Sequence, residues 1–177
     1  DRMTGNAEIP PSLHGADRVR GDEGNDVLIG AGNADELLGG SGADTLVGDA
    51  FDLESSFHGA DVLDGGEGDD TLYGLAGSDE LYGGAGADRL NGDDPFASFL
   101  GDADFLDGGE GDDRLRGHGG DDRLHGGSGD DDLFGDGGSD TLADGGGAGS
   151  LSRCTLDCPP ALSRPGGGGA ARNGLAR

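Results

Sequence analysis

The sequence predicts an all-β protein in which short strands stack into a solenoid, and three regularities along the chain support this prediction. An Asp recurs every nine residues, a large apolar residue follows it two positions later, and a Gly precedes it by five positions. Residues 39–47, 65–73 and 83–91 are three units with this pattern. A fixed short period of this kind is the signature of a repeat architecture.

The template of the repeat is G-G-x-G-x-D-x-U-x, where U is a large apolar residue. Position one is Gly from Gly5 to Gly135, and position four is Gly except at Asn33 and Asp102. Position six is occupied by Asp1, Asp17, Asp26, Asp35, Asp44, Asp61, Asp70, Asp79, Asp88, Asp104, Asp113, Asp122, Asp131 and Asp140. Position eight is always apolar, from Met3 to Leu142.

A single apolar residue per repeat predicts a strand of about three residues with one inward side chain. One repeat cannot bury that side chain alone, so the repeats must stack and line up a column of Leu as their core. The frequent Gly residues disfavour a helix and supply the turn conformations between strands. The repeats therefore alternate a Gly-rich turn with a short strand.

Three repeats are longer than nine residues, with insertions near 6–13, 50–57 and 94–100. Each insertion follows a Gly-Asp or Gly-Asn pair and ends just before position four, so it falls in the predicted turn and leaves the strand intact. Counted from Asp1, the insertions precede the second, sixth and tenth repeats, which are all even-numbered.

The chain is strongly acidic, with 37 Asp and Glu against 11 basic residues and a net charge of −26. Phosphates would repel such a chain, which argues against nucleic acid and anionic membranes as partners. No apolar stretch reaches the ~18–20 residues that a membrane helix needs. The expected partners are cations.

The Asp at position six is the predicted side-chain ligand for such a cation. A Gly-rich turn exposes several backbone carbonyls, and carbonyls with a carboxylate form the all-oxygen environment that Ca²⁺ prefers over Mg²⁺. In the alternative interpretation, these Asp residues only cap turns by accepting backbone N–H bonds. Asn or Ser could do the same, and neither occurs at this position, which favours a role for the charge.

These repeats resemble the RTX, or hemolysin-type, calcium-binding nonapeptide repeat over residues 1–143. The resemblance implies a right-handed parallel β-roll with about two repeats per turn and Ca²⁺ bound between successive turns at its edges. Odd repeats would line one edge and even repeats the other, so all three insertions would share an edge. Asp26 would then pair with Asp44, Asp70 with Asp88, and Asp113 with Asp131 across neighbouring turns.

The resemblance implies multiple calcium ions as the cofactor. The implied side-chain ligands are Asp17, Asp26, Asp35, Asp44, Asp61, Asp70, Asp79, Asp88, Asp104, Asp113, Asp122, Asp131 and Asp140. Grouped with the three Asp pairs, the implied backbone carbonyls are those of Gly21, Glu23, Gly40 and Gly42, then Gly65, Glu67, Gly84 and Gly86, then Gly108, Glu110, Gly127 and Gly129.

The repeats contain no recognisable catalytic motif and no phosphate-binding loop, so we predict no catalytic residue and no organic cofactor. The resemblance implies a secreted module that passes through a type I secretion apparatus and folds outside the cell on binding Ca²⁺. Two alternatives remain open. The chain could be an adhesin that grips an extracellular ligand through its insertion-bearing edge, or a carboxyl-terminal fragment of an exported hydrolase or polysaccharide-modifying enzyme.

Residues 144–177 lose the phase of the repeat and predict a flexible, disordered tail rich in Gly, Arg and Pro. Residues 145–177 contain one acidic residue and four Arg, whereas residues 1–144 contain 36 acidic residues and seven Arg. Cys154 and Cys158 lie in this tail, where two thiols alone make neither a disulfide scaffold nor a metal site.

Overall fold

The structure is a computed structural model that describes residues 2–4, 15–49, 58–94, 101–147 and 150–152. Side chains are described in 15–49, 58–94 and 101–147. The predicted insertions near 6–13 and 50–57 lie outside these ranges, as do most of 94–100 and the tail beyond Ser152. Within the described part of the chain every regular element is a β-strand, and no helix there could cross a membrane.

The strands form two parallel sheets. The first sheet contains β1 (Arg2–Thr4), β2 (Arg18–Glu23), β4 (Glu36–Ser41), β6 (Val62–Glu67), β8 (Glu80–Ala85), β10 (Phe105–Glu110), β12 (Arg123–Ser128) and β14 (Thr141–Ala143), in that order. The second sheet contains β3 (Val27–Ala31), β5 (Thr45–Asp49), β7 (Thr71–Leu75), β9 (Arg89–Asp93), β11 (Arg114–Gly119), β13 (Asp132–Gly137) and β15 (Ser150–Ser152).

Consecutive strands alternate between the two sheets, and each strand pairs in parallel with the strand two places further along the chain. Val19 therefore lies beside Leu37 in the first sheet, and Leu28 lies beside Leu46 in the second. Two repeats make one turn, so the predicted parallel β-roll is confirmed.

The core is one column of side chains from position eight of the repeats, all with exposed fractions of 0–7%. The column consists of Val19, Leu28, Leu37, Leu46, Leu63, Leu72, Leu81, Leu90, Leu106, Leu115, Leu124, Leu133 and Leu142. Burial of each Leu contributes about 1.5–3 kcal/mol. The column is therefore the main apolar contribution in a chain that is only 32% hydrophobic.

The roll continues one strand beyond the predicted boundary at residue 143. Strand β15 extends the second sheet, with Leu151 beside Leu133, and Gly146 bridges to Ser128. Leu151 follows Leu142 by nine residues, so the apolar period persists although position six has become Gly149. The series of Asp residues at position six, which we call the Asp ladder, therefore ends before the series of strands does.

The turns between the two sheets form the two long edges of the roll. Turns from the second sheet to the first include the insertion points after Asp49 and Asp93, and we call this side the insert edge. Its ladder residues are Asp17, Asp35, Asp61, Asp79, Asp104, Asp122 and Asp140. The opposite side is the regular edge, whose ladder residues are Asp26, Asp44, Asp70, Asp88, Asp113 and Asp131.

Candidate functional site

The ladder aspartates form two continuous hydrogen-bonded chains, one along each edge. In each chain, the Oδ1 of one Asp accepts a bond from the backbone N–H of the ladder Asp one turn earlier. Asp26 N–H donates to Asp44 Oδ1 at 2.8 Å on the regular edge, and Asp61 N–H donates to Asp79 Oδ1 at 2.8 Å on the insert edge. The bond holds each carboxylate in one orientation, so the turn-capping role accounts for one of its two oxygens.

The second oxygen, Oδ2, is buried and has no hydrogen-bond partner at ten ladder positions. These positions are Asp35, Asp44, Asp61, Asp70, Asp79, Asp88, Asp104, Asp113, Asp122 and Asp131. A buried polar atom without a partner is rare in folded proteins and requires an explanation. Capping of backbone N–H groups does not explain it, because that function is already performed by Oδ1.

The Gly at position one leaves a space beside Oδ2, which a second oxygen also borders. A Cβ placed on Gly21 would lie 2.5 Å from Asp26 Oδ2 and 2.6 Å from the carbonyl oxygen of Gly39 in the next turn. The same arrangement recurs at Gly39, where Asp44 Oδ2 and the Gly65 carbonyl border the space. Two oxygens that face one space fit a cation, and only Gly leaves room for them.

The remaining carbonyls of the turn also face the gaps between turns. In the gap between the turns of Asp44 and Asp70, the carbonyl of Gly40 faces Gly66 and that of Gly42 faces Gly68. From the later turn, the Gly65 carbonyl borders Gly39, and the Glu67 carbonyl accepts a bond from Gly42 N–H at 2.7 Å.

The structure therefore groups the predicted carbonyls differently from the family resemblance. Gly40 and Gly42 share a gap with Gly65 and Glu67, and Gly84 and Gly86 share one with Gly108 and Glu110. The grouping of Gly65 and Glu67 with Gly84 and Gly86 is not found, because these carbonyls point into different gaps. The carbonyls of repeat positions two and four face the following turn, whereas the carbonyls of positions one and three face the preceding turn.

The buried carboxylates have raised pKa values. Burial, reinforced by neighbouring carboxylates and opposed by the backbone N–H donor, raises the pKa of Asp70 and Asp88 to about 6 and that of Asp113 to about 7. On the insert edge the same causes raise the pKa of Asp61 to about 8 and that of Asp104 to about 9. Without a cation, the fold would favour protonation of these groups near neutral pH.

Side chains alone do not build a metal centre in the described part of the chain, since no three His, Cys, Asp or Glu residues converge there. His125 Nδ1 lies 3.0 Å from Asp107 Oδ1 on the outer face of the roll. His118 is half-buried, and burial lowers its pKa. Any cation in the gaps would therefore take most of its ligands from the backbone.

Two buried acids at position two were not identified by sequence reasoning. Asp49 and Asp93 occupy position two of the insertion-bearing turns and are 1% and 5% exposed. Each follows the position-one Gly and directly precedes an insertion, which is the sequence signal that could have identified them.

A comparison with family models matches the RTX calcium-binding nonapeptide repeat to residues 15–49, 59–94, 100–133 and 107–142. Together these four matches cover more than half of the chain. A search of the curated proteins finds no match.

Proposed function

This chain belongs to the RTX calcium-binding nonapeptide repeat family, and from that premise we propose that it is a module that folds on binding Ca²⁺ between successive turns of its β-roll. The observation that carries the proposal is the buried Oδ2 of the ladder Asp residues, which at all nine positions from Asp26 to Asp113 borders the same space as a Gly carbonyl of the next turn. The ligands would be ladder carboxylates together with carbonyls from the first four positions of the repeat.

The donor set supports Ca²⁺ over Mg²⁺. The gaps offer carboxylate and carbonyl oxygens, and Ca²⁺ accepts six to eight such ligands in flexible geometry, whereas Mg²⁺ retains its waters and requires a near-ideal octahedron. When bound, Ca²⁺ would supply a positive charge between the ladder carboxylate and the Gly carbonyl that face each other. The role of the chain's own residues is to hold these oxygens in place and to exclude water from them.

Charge and composition support coupled binding and folding. Residues 1–144 carry 36 acidic residues and seven Arg, and the whole chain is only 32% hydrophobic. Such a chain buries little apolar surface and repels itself, so it stays expanded unless its charges are neutralised. The free energy of calcium binding would then contribute directly to folding.

We further propose that the module is exported through a type I apparatus and folds outside the cell, with no catalysis of its own. Family membership supports this placement, and extracellular calcium modules have Kd values of about 10⁻⁴–10⁻³ M. A folding midpoint in that range is the expected result. A midpoint below micromolar would contradict export in an unfolded state, because the chain would fold before leaving the cell.

Far-UV circular dichroism of the full chain, titrated with CaCl₂ or MgCl₂ from metal-free buffer at pH 7.5, tests the calcium-driven folding. We expect a cooperative gain of β-signal with calcium and none with magnesium at equal concentration. The variant Asp44→Asn/Asp70→Asn should need several-fold more calcium, and the surface variant Arg18→Ala should behave like the unmodified chain. A full β-signal in metal-free buffer, unchanged by calcium, would show that the aspartates only cap turns and would contradict calcium-driven folding.

A further inference from the structure

Position two of the turns on the insert edge forms a column of side chains parallel to the Asp ladder. Neighbouring strands bring Ala31 beside Asp49, Leu75 beside Asp93 and His118 beside Asp136. On the regular edge this position is Gly at residues 40, 66, 84, 109, 127 and 145, and its one side chain among the described residues, Asp22, is exposed and paired with Arg20. The insert edge therefore carries a continuous column of side chains that the regular edge lacks.

Asp49 is a buried carboxylate in an apolar setting. It is 1% exposed, and its neighbours in the column, Ala31 and Leu75, are 2% and 5% exposed. Neither of its oxygens makes a hydrogen bond of normal geometry with a described residue, and none of the ion pairs described there includes it. Burial and the charge of Asp79 raise the pKa of Asp49 to about 7, although the nearby Gly59 amide opposes the shift.

Asp93 repeats this arrangement at the other described insertion point. It is 5% exposed, and its Oδ2 accepts one long bond, 3.2 Å, from Gly119 N–H. A Cβ placed on Gly101 would collide with both Asp93 Oδ2 and the carbonyl oxygen of Gly119. A carboxylate oxygen and a carbonyl oxygen thus border one space, as in the ladder.

Ladder acids lie next to both residues. Asp61 Oδ2 borders the space beside Gly48, which directly precedes Asp49, and Asp104 Oδ2 borders the space beside Gly92, which directly precedes Asp93. The charge of Asp49 contributes to the raised pKa of Asp61, and that of Asp93 contributes to the raised pKa of Asp104. Each pair places two buried negative charges where the regular edge has one.

Asp136 provides the internal comparison, because it occupies the same position in a turn without an insertion. Its Oδ2 forms an ion pair with Arg116 and lies 3.9 Å from His118 Nδ1, and its side chain is 25% exposed. The acid without an insertion thus has an Arg partner and partial access to water. Among the described residues, the two acids that precede insertions have no ion pair, and both are buried.

We propose that Asp49 and Asp93 are side-chain ligands of two further calcium sites, one at the base of each of these insertions, in which Asp61 and Asp104 are the second carboxylates. The inference rests on the proposed calcium function and adds to it, because the ladder pattern uses position six alone. Two carboxylates and a backbone carbonyl form the kind of oxygen donor set that Ca²⁺ binds. These sites belong to the insert edge only.

Native mass spectrometry of the full chain in calcium, which counts bound ions directly, tests this proposal. We expect the count to fall by one for Asp49→Asn, by one for Asp93→Asn and by two for the double variant. It should be unchanged for the matched control Asp136→Asn. An unchanged count in the double variant, with the calcium-induced β-signal intact, would overturn the two sites and leave the proposed function standing. An unmodified chain that binds no calcium would overturn both.

A second pair of variants distinguishes the loss of a calcium ligand from a defect in folding. Ala31 shows that the column accepts Ala, so Asp49→Ala and Asp93→Ala should fold in saturating calcium. Removal of a buried carboxyl group, which is mostly protonated at pH 5 because burial raises the pKa of Asp49 to about 7 and that of Asp93 to about 6, should raise the melting temperature in metal-free buffer at pH 5. Loss of a ligand should lower the melting temperature in calcium. These opposite shifts would support the sites, whereas a fall under both conditions would show a packing role and overturn them.

Discussion

The two edges of the roll share one ladder but differ in the setting of its carboxylates. On the regular edge Asp70 and Asp88 have pKa values of about 6, whereas Asp61 and Asp104 on the insert edge reach about 8 and 9. All four side chains are at most 3% exposed, so contact with water does not separate them. The difference lies in how much protein surrounds each carboxylate and in the added charges of Asp49 and Asp93.

One repeat pattern can thus build sites whose carboxylates differ in pKa and in the charge of their surroundings. Position six and its Gly partner are the same on both edges, so the hydrogen-bonded ladder is the same. Position two varies, and its side chains on the insert edge exclude water and add charge. We infer that the insert edge depends more strongly on a bound cation than the regular edge does.

The largest expected effect on stability comes from the position-one Gly, which both edges share. A Cβ on Gly65 of the regular edge would lie 2.7 Å from the Gly83 carbonyl, and one on Gly74 of the insert edge would lie 2.8 Å from the Gly92 carbonyl. Gly65→Ala and Gly74→Ala should each lower the free energy of unfolding by about 3 kcal/mol, because the crowded backbone cannot yield easily. Urea unfolding in saturating calcium measures the effect.

Gly15→Ala is the control for this pair, because a Cβ there would meet nothing within 4 Å. We expect it to change the free energy of unfolding by less than about 0.5 kcal/mol. If Gly65→Ala or Gly74→Ala were equally neutral, the tight Gly–Asp contact would not exist on that edge.

A smaller expected effect, on the pH dependence of stability, distinguishes the two edges. The raised pKa values mean that, between about pH 4 and pH 9, the folded state binds more protons than the unfolded state. In metal-free buffer, stability should therefore fall as the pH rises through this window. Asp61→Asn/Asp104→Asn should move the midpoint of β-signal loss to higher pH by more than Asp70→Asn/Asp88→Asn does. Circular dichroism from pH 8 down to pH 5 measures both midpoints, and equal shifts would remove the distinction between the edges.

The smallest expected effect lies on the outer face, away from both edges. Arg18 and Glu36 form an ion pair at 2.8 Å, and their side chains are 58% and 40% exposed. Arg18→Ala should reduce the free energy of unfolding by no more than about 1 kcal/mol, since exposed ion pairs contribute little. The same urea experiment checks this, and a larger loss would show that the outer face shares in stabilising the roll.

Much of the fold could be predicted from the sequence because each role repeats in a fixed phase. Leu72 and Asp70 have the same relation in every repeat, so the core column and the two edges follow from the period alone. Strand β15 was not foreseen, because Asp and the first Gly disappear there while Leu151 keeps the phase. The apolar period was the more reliable indicator of strands, since core packing requires the Leu but not the ligand.

The candidate site could be predicted only in part. The acidic ladder was evident from position six, since no neutral residue replaces Asp there. The direction of each carbonyl was not, and Gly40 proved to share a gap with Gly65 rather than with Gly21. Carbonyls alternate in direction along the backbone, and only the pairing of turns decides which of them meet.

The sequence by itself determined the repeat, its strands, the Leu column and the position of the acids, because these depend on local periodicity and on the need to bury one apolar side chain per repeat. Only the tertiary structure decided that, from Asp35 to Asp113, Oδ1 of a ladder Asp binds the preceding turn while Oδ2 faces the next one. It alone buried Asp49 and Asp93 with no ion pair to another described residue and gave Asp136 an Arg. Those outcomes depend on contacts between residues 18 or more positions apart, which no local pattern encodes.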